Sequence, residues 1–93
     1  MDAFFSESAR AGTTKRTDIV AHRGSDATIV EVKKRISLGS LGQLLGYQAL
    51  YLQDNPQTGV VRLVAAGLSI QDDITGILNN HGITVELFPN ATI

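Results

Sequence analysis

The stretch Thr17-Asp18-Ile19-Val20-Ala21-His22-Arg23-Gly24-Ser25-Asp26-Ala27-Thr28-Ile29-Val30-Glu31-Val32-Lys33-Lys34 decides the fold. Residues 17–22 and 27–34 are rich in β-branched side chains and flank Gly24-Ser25, a pair suited to a two-residue type II′ turn. Such a turn fixes the register of an antiparallel hairpin. His22 then faces Ala27, Val20 faces Ile29, Asp18 faces Glu31 and Arg16 faces Lys33. Alternate residues of a strand share a face, so Glu31 and Lys33 point one way while Val30 and Val32 point the other. Asp18 lies across from Glu31, with a Cβ separation of about 4.5–5.5 Å.

Two carboxylates at that distance repel each other unless a positive charge sits between them. A hard divalent cation meets the need. Mg²⁺ (or Mn²⁺) takes oxygen ligands, keeps several waters and is commonly held by one or two carboxylates plus a substrate phosphate. Lys33 adds a cation that can position water or stabilise charge developing on that phosphate. The pattern therefore describes a metal-assisted phosphodiesterase. It equally describes an acidic cross-strand pair on a solvated hairpin, neutralised by Lys33.

Downstream of the hairpin, Ser40 is a good N-cap for a helix running to about Gln53, with Leu41, Leu44, Leu45, Ala49 and Leu52 as its apolar stripe. Gln43, Tyr47, Leu50 and Tyr51 fall on an adjoining face. Gly42 and Gly46 lower helix propensity and leave room for another backbone. Asn55-Pro56 stops the helix. Val60 to Ala66 is apolar except for Arg62, as expected of a buried, parallel central strand. Ser69, with Asp72 three residues on, reads as the cap of a second helix burying Ile70, Ile74, Ile77 and Leu78, closed by Gly82. Ile83 to Phe88 is a last strand, ended by Pro89. The order is β-β-α-β-α-β, an α/β domain with a mixed sheet flanked by helices. Residues 1–15 read as an N-terminal arm and 16–93 as the domain.

Composition narrows the function. Ninety-three residues, 43% hydrophobic and 18% charged, make one small globular domain. The chain has no cysteine, which excludes a disulfide scaffold, a Cys-ligated metal and a Cys nucleophile. No apolar run approaches a membrane span, and the start lacks a signal-peptide pattern, so the expected location is cytoplasmic. No G-x-x-x-x-G-K-[ST] occurs, so a nucleotide cofactor has no support. The net charge of -1 averages two unlike regions. Residues 10–35 hold seven basic and three acidic residues, whereas 36–93 hold only Arg62 against four acids. A one-sided basic region suits a polyanion.

Taken together, Asp18, the E-x-K of Glu31-Val32-Lys33, and the Q-x-x-x-Y of Gln43 and Tyr47 on the next helix resemble the PD-(D/E)xK nuclease superfamily. Within it, the similarity is to the RecB-like nucleases and the NucS-type endonucleases, over residues 16–88. The tail 59–66 and His81-Gly82-Ile83-Thr84-Val85-Glu86-Leu87 is also similar to the end of the NucS nuclease domain. The resemblance implies a minimal restriction-endonuclease-like core and a Mg²⁺-dependent DNA endonuclease. It implies that Asp18, Glu31 and the carbonyl near Val32 bind the metal, that Lys33 is catalytic, and that Gln43 and Tyr47 face the active site and the DNA backbone. Arg16, Lys34 and Arg35 become phosphate contacts. The family core begins with a helix and a strand, the helix often supplying a further Glu. Here only fifteen residues precede Arg16, so both elements are expected to be absent or vestigial, and Glu7 is the sole acidic candidate for that role. A sheet lacking its first strand exposes an edge, which leads to the expectation of a homodimer. The other reading is a catalytically inactive module of the same fold that binds DNA or protein as a homodimer.

Overall fold

The computed structural model describes residues 2–7 and 17–91, with side chains from Ile19 to Ala91. The hairpin forms in the expected register. Strand β2 (Thr17–Arg23) pairs antiparallel with β3 (Asp26–Ile36), with Asp18 opposite Glu31, Val20 opposite Ile29 and His22 opposite Ala27. Gly24 has φ 60° and Ser25 is not among the positive-φ residues, which is the type II′ pattern. The expected pairing of Arg16 with Lys33 lies outside the described residues.

Before the hairpin, Asp2–Glu7 forms β1, antiparallel to β2, with Phe4 opposite Val20 and Glu7 opposite Thr17. A strand over Asp2–Glu7 corrects the expectation that the core's first strand is absent or vestigial, while residues 8–15 of the expected arm lie outside the described residues. Beyond the hairpin come α1 (Gly39–Asp54), β4 (Val61–Ile70), α2 (Thr75–Asn80) and β5 (Ile83–Leu87). The sheet order is β1-β2-β3-β4-β5, with β3, β4 and β5 mutually parallel. A parallel neighbour requires a crossover, and α1 supplies it between β3 and β4. The expected β-β-α-β-α-β order is present, preceded by one more strand. The edge that argued for a dimer, that of β2, is occupied by β1.

Both helices pack on one face of the sheet. The core there joins Ile29, Leu63, Ala65 and Ile83 to Leu44 of α1 and Leu78 of α2. Alternation along β3 buries Ala27, Ile29 and Glu31 and leaves Thr28, Val30 and Val32 half-buried on the reverse face.

Three local expectations change. The buried face of α1 is turned towards Tyr47 and Tyr51, which pack on the core, while Ala49 and Leu52 face solvent. Ser40 does not cap α1. It lies inside the first turn, fully buried, and its Oγ accepts the Ser37 N–H over 3.5 Å. Ser69 and Ile70 belong to β4, because the long β3 extends the ladder to Arg35–Ser69 and Ile36–Ile70. Helix α2 therefore begins late, after Asp73 takes a left-handed φ of 64°, a conformation Asp tolerates. Ile77 is exposed rather than buried. Gly82, with φ 77°, ends α2 as expected.

Candidate functional site

The hairpin positions the candidate site. Asp18 is the Cα partner of Glu31, and on the other flank Glu31 pairs with Ala65. The side chain of Asp18 lies outside the described ones. Glu31 is 1% exposed, among the most buried of the described side chains, in a core whose other described members are apolar apart from Ser40. Burying a carboxylate costs several kcal/mol unless partners or a cation answer its charge. Its neighbour Ala65 is likewise buried.

Helix α1 packs over β3 and β4, and one hydrogen bond ties its C-terminal end to β2. Tyr51 Oη lies 3.0 Å from His22 Nδ1, with the two ring centroids 5.8 Å apart. From Tyr51 back to Gln43 is eight helical residues, about 12 Å. From His22 back to Asp18 is four strand residues, about 13 Å. Helix α1 runs parallel to β2, because it reverses β3 as β2 does. Gln43 thus lies about as far along α1 from Tyr51 as Asp18 lies along β2 from His22. Gln43 Oε1 is buried and accepts no hydrogen bond among the described residues. Tyr47 is half-buried against the core.

Lys33 departs from simple alternation. The buried–intermediate rhythm of β3 lapses after Val32: Lys33 is half-buried, and Lys34 and Arg35 are exposed. The lapse coincides with a close approach to Gly67, the Cα partner of Lys33. A Cβ on Gly67 would lie 2.5 Å from the Lys33 carbonyl oxygen and 3.0 Å from Ile36 Cγ1. Gly67 thus lets β4 pass the Lys33 peptide. Sequence reasoning ended that strand at Ala66 and missed it; a glycine directly after an apolar strand run was the available signal. It also missed the His22–Tyr51 link, because register and helix phase must both be known before the two meet.

Arg16 lies outside the described residues, as does the side chain of Glu7. Among the described residues no group of three or more His, Cys, Asp or Glu side chains could hold a metal. The donors of a centre at the hairpin would be Asp18, Glu31 and the Val32 carbonyl, all hard oxygens of the kind Mg²⁺ and Mn²⁺ accept. Buried Gln43 Oε1, with no hydrogen-bond donor among the described residues, is the kind of acceptor that a bound water would satisfy. No helix among the described residues is long and apolar enough to cross a membrane.

No family model and no curated protein matches the chain. Among solved structures, that of EndoMS in apo form is similar, with a TM-score of 0.70 at 15% identity. The match covers 99% of this chain, which spans 38% of that one. The likeness is one of fold.

Proposed function

We propose that the chain is a divalent-metal-dependent DNA endonuclease with Asp18, Glu31, Lys33, Gln43 and Tyr47 at its active site. The observation that supports it most is the buried Glu31 carboxylate, paired in register with Asp18. The fold likeness to the EndoMS endonuclease points the same way. Mg²⁺ or Mn²⁺, when bound, supplies Lewis-acid stabilisation of the phosphate and a more acidic water. Asp18, Glu31 and the Val32 carbonyl hold the ion. Lys33, half-exposed beside them, offers its ammonium to the charge that develops on the scissile phosphate. Gln43 orients a water through Oε1, and Tyr47 borders the phosphate path. Lys34 and Arg35, exposed at the same end of β3, take flanking phosphates, and Arg16 joins them.

The test pairs a cleavage assay with a melting curve. Wild-type protein should nick plasmid DNA with Mg²⁺ or Mn²⁺, and Asp18→Asn, Glu31→Gln and Lys33→Ala should each lose at least about 100-fold, the scale of one electrostatic catalytic group. Mn²⁺ should raise the melting temperature of the wild type and leave that of Glu31→Gln unmoved. Nicking that persists equally in all three variants would sink the proposal. A second reading, a DNA-binding module without catalysis, draws on the 1% exposure of Glu31, which restricts approach of a phosphate. It predicts DNA retention with no metal-dependent cleavage in the same assay.

A further inference from the structure

We propose that Arg23 and Arg62 form a second phosphate-binding groove, on the sheet face opposite α1, that grips a nucleic-acid backbone. The inference rests on the reading of DNA as partner but not on catalysis. Arg62 is the lone basic residue of 36–93, and Arg23 ends β2, so nothing in sequence order joins them. The sheet does. Arg23 pairs with Asp26 and Arg62 pairs with Thr28, so the two arginines flank β3 on a diagonal. Two strand spacings across and two residues along put their backbones about 12 Å apart. That distance lets two extended side chains close on one group between them.

A cavity of about 460 Å³ occupies this place, lined by Ala21, Arg23, Asp26, Thr28 and Arg62. Its floor is small: Ala21 is the Cα partner of Thr28, in a cross-strand row with Arg62. One wall is fixed by Asp26, whose Oδ1 accepts the Val60 N–H at 2.9 Å, while Gly59 N–H donates to the Ser25 carbonyl at 2.7 Å. A Cβ on Gly59 would come within 2.7 Å of the same Asp26 oxygen, so the turn closes on that carboxylate only because residue 59 is glycine. Asp26 Oδ1 is thereby held by the turn, and the groove presents two guanidinium forks and the Thr28 hydroxyl beside one carboxylate, a balance of two cations to one anion. Planar forks of this kind match the paired oxygens of a phosphodiester. By strand alternation the groove is on the reverse side of β3 from Glu31, so it probes a contact separate from the candidate active site.

The experiment is fluorescence anisotropy with a labelled duplex oligonucleotide, without divalent metal so that cleavage cannot enter. Arg23→Gln/Arg62→Gln should weaken binding about tenfold and lower the salt slope by about two, one for each lost phosphate contact. Arg23→Lys/Arg62→Lys keeps the charge without the fork and should fall between the two, which guards against a folding defect in the glutamine variant. Inorganic phosphate at the same phosphate concentration should not displace the duplex. Unchanged affinity and salt slope in the glutamine variant, with a native melting curve, would overturn the groove. Displacement by inorganic phosphate would overturn the nucleic-acid assignment in favour of a free anion. No binding of the duplex by wild-type protein at low salt would instead bring down DNA as the partner.

Discussion

A carboxylate that is 1% exposed is an unusual member of a largely apolar core, and it falls at the first position of the E-x-K signature. That coincidence makes Glu31 more than a surface member of an acidic pair, since the solvated-hairpin alternative requires an exposed one. The glycine that borders Lys33 is the second informative residue. Gly67→Ala forces a methyl group against the Lys33 carbonyl, 2.5 Å away, and against Ile36. The expected cost is about 1–3 kcal/mol, the usual range for overpacking, read as a lower urea midpoint at constant slope. The same substitution moves the Lys33 peptide, so metal-dependent cleavage should fall further than the lost stability accounts for. A Gly67→Ala chain with unaltered midpoint and cleavage would show that β4 has room to spare there.

Helix α1 is an element built for covering, with no charge before Asp54. Gly42 and Gly46 do not serve close backbone approach, because a Cβ at either would meet nothing within 4 Å. Alanine at each should therefore stabilise the protein by about 0.8–1 kcal/mol through helix propensity alone, measured by thermal or urea unfolding. A loss of stability at either would reveal a contact outside the described residues. Elements differ in how openly the sequence announced them. The hairpin was legible to the residue because Gly24-Ser25 specifies both a turn and a register. The parallel β4 was legible from its apolar run, but its end was not. Ser69 carries a capping signal that loses to ladder pairing with Arg35, and only the length of β3 reveals this. The face of α1 was misjudged by part of a turn, since Tyr47 and Tyr51 bury their rings where Ala49 and Leu52 would have been cheaper to place. Strand β1 was not legible, because it is stabilised by pairing with β2 rather than by any alternation of its own.

At the scale of the molecule, β1 protects the hairpin that carries the candidate site. Removing residues 1–7 would leave the β2 edge with unpaired N–H and C=O groups, a template for association. The shortened chain should melt earlier and shift to larger species in light scattering than the full chain at equal concentration. A truncated chain that stays at the same mass would mean that β2 needs no such cover. The tight turn at Gly24 has a consequence in time as well. Hairpins with two-residue turns close within about 1–10 μs, whereas a parallel pairing must first close the far longer loop through α1. The strands bearing Asp18 and Glu31 thus meet while both positions are still open to water, and β4, which flanks Glu31, arrives afterwards. Assembly order makes the acidic pair an early, hydrated feature of the folding chain, and an ion could join it before the wall is complete.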